Sequence, residues 1–405
     1  MMTQPQTLLA PEVIANPYPF YQRLRAEAPI FWDEGWNVHV ITRYDDVKSI
    51  QRDSRFSAIP PREPDWEPRR RILELLNGNL LMFNDLPAHI RIRGLMEKAF
   101  DPLVPGMRDL IQQTTDSLLD AARDKGQMDL FSDFAIPLPL TVQSAFVGVP
   151  ASDSGQLTQW LASTANFVFG TGYVPTTPAD DQQVLNDLQS LVDYLRPLIE
   201  QRRQNPRNDL ITALVQAEYQ GDKLNQQELI ISAMVLTMGS FLSITVALSN
   251  CLVGLLQHPD QLQKLRDNPG LIESAVEELL RYESQVQFSP RRATEDVELH
   301  GQAILKDQVV MIGIGSANHD ESQFPNADQL DITRANNRHL AFGGFGPHMC
   351  IAQALARIHV QTAVGTVVRR LKGLHPATDN LVWLGAPIAP AFRSVGSLPV
   401  VFERG

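Results

Sequence analysis

The chain has 405 residues, 43% hydrophobic and 20% charged, with a formal net charge of −11. That is ample material for a sizeable core, and the acidic balance argues against wholesale nucleic-acid binding, which needs a basic surface. Only two cysteines are present, Cys251 and Cys350, so a disulfide framework is disfavoured and a reducing cytoplasm fits best.

The segment from Met1 to Asn16 carries Pro5, Pro11 and Glu12. It lacks the basic start and apolar run of a signal peptide or membrane anchor. Periodicity predicts an amphipathic helix from Pro17 to Ala26, with Tyr18, Phe20, Tyr21 and Leu24 inward. A strand follows from Trp36 to Thr42 and a helix from Asp45 to Arg52. The proline- and arginine-rich stretch from Ser57 to Leu80 reads as a loop with short helical pieces. Its Arg69, Arg70 and Arg71 read as a solvated face. Helices are predicted from Ala88 to Ala99, Pro105 to Lys125 and Asp153 to Phe169. After a break at Gly170 to Pro178 comes another, Asp180 to Arg203, whose leading carboxylates suit its N-terminal dipole.

From Leu229 to Leu256 no residue is charged. That length could span a bilayer. However, Ser232, Thr237, Ser240, Ser243, Thr245, Ser249 and Asn250 recur along it and no basic cluster flanks it. It therefore reads as the buried central helix of an α-rich domain, with no membrane partner. Helices from Pro259 to Asp267 and Gly270 to Tyr282 precede strands at Gln287 to Ala293 and Val309 to Ile314. Cys350 to Leu371 is the last long helix, and short β pieces follow Leu381. Without repeats or a linker, residues 1–405 read as one mainly α domain with a small β region.

The most informative stretch is His339 to Arg357, HLAFGGFGPHMCIAQALAR. Gly343, Gly344 and Gly346 let backbone approach a flat ligand, and Pro347 stiffens the turn. Cys350 is expected at a helix N-terminus, where free N–H groups and the dipole favour a thiolate. One sulfur without a partner Cys or His pair does not make a tetrahedral zinc site. Three readings stay open from these residues alone: a thiolate on one haem face, a buried structural cysteine, and a nucleophile using His348.

This stretch resembles the haem-binding signature of the cytochrome P450 family, Phe-Gly-x-Gly-x-His-x-Cys-x-Gly. His348 and Gly346 fall in register with Cys350. Phe342 lies one place too far away, so that Phe345 looks inserted, and Ala352 replaces the last glycine. Further segments resemble the family in the same order. His89-Ile90-Arg91-Ile92-Arg93 is similar to its propionate-binding helix, and Arg291-Arg292-Ala293-Thr294-Glu295-Asp296 to a strand with Arg291 inward and Arg292 outward. Glu278-Leu279-Leu280-Arg281 is similar to its Glu-x-x-Arg pair, whose usual third arginine is here Gln329, with Arg334 as a candidate substitute. The apolar helix entering His258-Pro259-Asp260 is similar to its helix over the distal haem face.

The resemblance implies the P450 fold and a haem-thiolate monooxygenase, with haem b on Cys350 as metal ligand. Its propionates would be held by His89, Arg93, Arg291 and His348, with Phe342 and Gly346 shaping the cysteine loop. It implies O2, an external ferredoxin-type electron donor with its reductase, and a small, largely apolar substrate of natural-product metabolism. A carrier protein is a further candidate partner. Gly239, Ser240, Val286, Phe288 and Ile388 are expected to line the substrate pocket. Where the family's central helix carries an acid and a threonine, this chain has Leu242 and Ser243, so Ser243 is the candidate proton-relay hydroxyl. The missing acid keeps open an atypical catalyst, peroxide-driven or coupling, and a non-catalytic partner-binding scaffold is the alternative of another class.

Overall fold

The structure is a computed structural model that describes residues 7–61, 65–173, 176–378, 380–384 and 391–404, apart from the side chains of Ala151, Thr171 and Ser240. Helices dominate, and four of them build the site: α1 (Ala88–Phe100), α2 (Gln226–Gln257), α3 (Ile272–Tyr282) and α4 (Gln353–Arg370).

The central helix α2 shows why such a segment folds as it does. Asn225 Oδ1 accepts from the N–H groups of Gln227 and Glu228, at 2.9 and 3.0 Å, while Glu228 Oε2 accepts from Asn225 N at 2.8 Å. This reciprocal box satisfies orphan donors of the first turn. The far end stops at His258 because Pro259 has no N–H to donate and pushes its predecessor out of the α region. Between the ends, 71% of the most apolar window is buried inside the fold, which is how a core helix meets the length test for a membrane span.

A small sheet stands beside the helices, with strands β1 (Ile30–Asp33), β2 (Val38–Ile41), β3 (Phe56–Ser57), β4 (Phe288–Ala293) and β5 (Val309–Gly313). Their order is β1-β2-β5-β4-β3. β2 and β5 run parallel, with His39 opposite Val310, and β4 pairs antiparallel with β5, Arg291 opposite Val310. This register sets β4 beside the helical core, with Phe288 and Arg291 both buried.

Four segments depart from expectation. Glu67–Leu76 is a ten-residue helix, and Arg69 on it is no solvated face. Its side chain is 1% exposed and pairs with Asp181 at 3.5 Å, whereas Arg70 reaches only the exposed Asp65. Pro137–Val147 and Leu210–Gln216 are helices without a sequence forecast. The first opens with Pro at N1, where its missing N–H costs nothing, and is buried on several faces, so no amphipathic period marks it. The last long helix begins at Gln353, so Cys350 sits ahead of it in a turn.

Candidate active site

The loop carrying Cys350 is braced from α3. Glu278 and Arg281 lie one turn apart and are both fully buried, paired through two contacts of 2.8 Å. The third arm is Arg334, whose Nε lies 3.0 Å from both Glu278 oxygens, and Asn337 adds a bond at 2.9 Å. Gln329 contributes only its carbonyl, 3.3 Å from Arg281. Because these buried charges are fully paired, removing one partner would strand the other, at about 3–5 kcal/mol. The neighbouring Glu277 ties the loop to α4, accepting from Arg357 at 2.7 Å and bonding His339 at 3.2 Å.

The turn itself is closed by Cys350 N donating to Phe342 O at 2.8 Å. Gly343 and Gly344 have φ of 84° and 71°, a region costly to any residue with a Cβ. Gly346 packs behind the loop on Gln51, where a Cβ would collide with the backbone. Phe345, the extra residue, bulges outward and is 42% exposed. Lys48 and Arg52 lie over its ring at 5.4 and 5.8 Å. The insertion is thus absorbed on the surface, and Phe342 still faces inward, capped by Arg357 at 4.4 Å.

Cys350 faces a large cavity. Burial raises its thiol pKa above the usual value, against weaker lowering by the Ala352 N–H, Arg93 and Arg357. This corrects the expectation of a thiolate stabilised by a helix N-terminus: the helix starts three residues later, and desolvation wins. A cation bound to sulfur would reverse that penalty, because a coordinating thiol is deprotonated outright.

His89, Arg93, Arg291 and His348 converge on the same cavity. The His89 and His348 rings lie 4.2 Å apart. Both ring nitrogens of His89 are buried without a hydrogen-bond partner. Burial lowers the His89 pKa to about 4, with Arg93 adding to the effect. Burial, then Arg291, His89 and Arg93, lowers that of His348 to about 2. Arg93 donates to the carbonyls of Pro347, at 3.2 Å, and Met349. Arg291 is buried and donates to Ser289 Oγ at 3.1 Å, while Arg292 turns outward to Asp307. Arg93 also pairs with Glu97 at 2.7 Å, whereas the buried Arg291 bonds neutral oxygens, an arrangement that is costly for a cation unless an anion joins it.

The facing wall is α2. Gly239, Ser243 and Ala247, spaced one turn apart, line the cavity. Gly239 has nothing within 4 Å of where a Cβ would stand. Ser243 Oγ donates to the Gly239 carbonyl. Leu242 packs into an apolar cluster with Phe169, Val286, Ala391 and Phe392. Val286 and Phe288 line the cavity as expected of pocket residues; the Ser240 side chain and Ile388 lie outside the described part of the structure. Sequence reasoning passed over Gln51, Met82 and His359 in this lining, whereas Tyr173 falls in the break that it placed against the substrate. A signal existed for His359, which falls on the α4 face of Ala352, Leu355, Ala356 and Val360.

The cavity has a volume of about 260 Å³, close to the lower end of the ~300–1,000 Å³ of small-molecule pockets. Among the described residues, no three His, Cys, Asp or Glu side chains gather to hold a metal ion. A cysteine sulfur facing the cavity, the unpartnered ring nitrogens of His89 beside the buried Arg291, and an apolar lining fit a flat, carboxylate-bearing metal macrocycle.

Comparison with known proteins agrees. The cytochrome P450 family model matches residues 15–381. The chain belongs to the cytochrome P450 family. This P450 is 35% identical to the biotin biosynthesis cytochrome P450 of Bacillus subtilis, over 99% of this chain and 100% of that one. It is 34% identical to the cytochrome P450 monooxygenase PikC of Streptomyces venezuelae, over 98% and 94%. The structure of P450BioI in complex with hexadec-9Z-enoic acid ligated acyl carrier protein superposes with a TM-score of 0.88, at 34% identity, covering 97% of this chain and 99% of that one. The mainly α architecture is therefore the P450 fold, and the chain is an oxidoreductase of a family that binds haem through a thiolate.

Proposed function

We propose that this P450 is a single-domain, cytoplasmic haem b monooxygenase, in which Cys350 would hold the iron. It inserts one oxygen atom from O2 into a small, largely apolar molecule of secondary metabolism. The observation that carries this reading is a cysteine sulfur sharing its cavity with the buried guanidinium of Arg291, bonded to neutral oxygens, and with His89, whose two ring nitrogens are buried without a hydrogen-bond partner among the described residues. Haem b supplies both missing partners, an iron for Sγ and propionates for His89, Arg93, Arg291 and His348. When bound, it supplies oxidising chemistry that a thiolate ligand biases toward O–O cleavage.

The protein's own side chains do the rest. Val286, Phe288, Phe169 and Phe392 exclude water and hold an apolar substrate. Gly239 leaves room above the slot, and Ser243 presents a hydroxyl that holds and passes a proton at Oγ. Electrons come from an external ferredoxin-type donor with its reductase. The P450BioI complex carries its acyl chain on an acyl carrier protein, and the apolar lining here suits such a chain, so carrier-tethered acyl groups head the substrates to test.

Replacing Cys350 with Ala should abolish the absorption band of the reduced, carbon-monoxide-bound thiolate enzyme while the protein still folds. Retention of that band would refute the ligand assignment. A library of free and carrier-tethered acyl compounds, screened for a haem spin-state shift, identifies the substrate class. The burial of Leu242 in an apolar cluster favours a second reading, a peroxide-driven or coupling oxidant. Turnover with peroxide, but none with reductant and O2, would select it.

A further inference from the structure

A second, much smaller cavity shares part of its wall with the first. Its volume is about 30 Å³, roomy enough for a methyl-sized group, since about 10–15 Å³ already holds a water. Phe288 and Phe392 line both cavities. The Phe288 ring packs edge-to-face with Trp36 at 5.1 Å and with Tyr21 at 6.0 Å, and those two line only the smaller one. Leu8, Val13 and Ile14 of the N-terminal segment complete its apolar wall. That segment is tied down. Asp33 accepts from Thr7 Oγ1 at 2.9 Å and Leu8 N at 2.6 Å, and Arg393 donates to the carbonyls of Ile14 and Ala15 at 3.1 and 2.8 Å. The polar side chains of the wall are engaged as well. Tyr21 Oη donates to Gln287 Oε1 at 3.0 Å, Gln287 Nε2 donates to the Ser284 carbonyl at 2.7 Å, and Arg393 pairs with Glu283 at 2.8 Å.

An apolar void deprives its lining of the contacts that a filled core has, and water gains little by entering it. A void parted from a larger chamber by the side chains of Phe288 and Phe392 can instead be filled from that chamber. The backbone that carries them is fixed, because Val286 and Phe392 form an antiparallel bridge and Gln287 N donates to the Ala391 carbonyl at 2.7 Å. The rings are therefore the movable part. We propose that the smaller cavity is the subsite for the methyl end of a straight-chain acyl substrate, entered past the ring of Phe288. A chain end there meets Trp36, Val13 and Leu8. Each methylene that leaves water for such surroundings adds ~fourfold in affinity, so the subsite selects substrates by chain length.

The inference deepens the acyl-substrate reading and rests on it, and one titration series separates the two. Straight-chain fatty acids of increasing length, free and carrier-tethered, are titrated into the haem-loaded enzyme, with binding read from the haem spin-state shift and from Tm. Val13→Ile adds one methyl group to the wall of the smaller cavity. It should weaken the parent's tightest-binding chain ~fourfold, while chains about two carbons shorter bind as before. Phe288→Ala removes the partition and should move the tightest-binding length up by about two carbons, a gain of ~tenfold for that longer chain. A length preference unmoved in both variants, or a loss spread equally over all lengths, would overturn the subsite and leave the acyl reading standing. If Phe288→Ala fails to take up haem, Phe288→Val is read by the same criteria. A parent enzyme that binds no chain of any length would sink the acyl reading, and the subsite with it.

Discussion

Ser243 shows how much one side chain carries when its neighbour changes. Its hydroxyl donates back to the Gly239 carbonyl within the helix, so its lone pairs remain to accept from the cavity. Leu242 has neither donor nor acceptor and packs, partly buried, against the apolar cluster with Phe392, so it relays no proton. Ser243→Ala should lower product formed per electron by at least tenfold, a lower bound beside the ~10²–10⁴-fold that a positioned proton donor contributes. Product and peroxide measured together check this, and unchanged coupling would remove Ser243 from the mechanism. The departure at 242 was legible in the sequence because a missing acid is a missing letter. The place of His359 in the cavity lining was half legible, because spacing sets which residues share its helix face but not that this face meets the cavity.

At the scale of elements, the cysteine loop is stabilised by ties to α3 and α4 more than by its own glycines. Glu277 joins all three. Desolvation would raise its pKa, but hydrogen bonds from His339 and Arg357 more than offset this and leave it at about 2, against an ordinary 4.5. A carboxylate whose folded pKa is depressed adds stability that is complete above its unfolded pKa and disappears as pH falls through the folded one. Glu277→Gln should therefore cost ~1–3 kcal/mol at neutral pH, the range for charge-assisted bonds. The gap to the parent should close between about pH 4.5 and pH 2. Urea denaturation across that range measures it, and a pH-independent gap would remove Glu277 as the linking group. The neighbouring network was half visible beforehand. Glu278 and Arg281 share a face by spacing alone, whereas Arg334 reaches Glu278 only because the chain between them folds back.

For the whole molecule, one apolar core runs from the N-terminal helices to the last strand, and the cavity is an interruption of it. A ligand that fills the apolar part stabilises the folded state by mass action, about 2.7 kcal/mol at a hundred times its Kd. Long-chain acyl ligands should therefore raise the Tm of the haem-loaded enzyme by several degrees, while a sugar of similar size should not. A thermal-shift series tests this, and equal shifts from both would contradict an apolar chamber. The residue pattern alone determined the helical character, the central apolar helix, the cysteine loop and the order of family segments, because these are written in local periodicity and spacing. Only the tertiary structure decided where the helix after Cys350 begins, that Arg69 is buried, that Phe345 bulges outward, and that His359 looks into the chamber. Each of these depends on contacts between segments distant in sequence, where burial and charge pairing outweigh local preference.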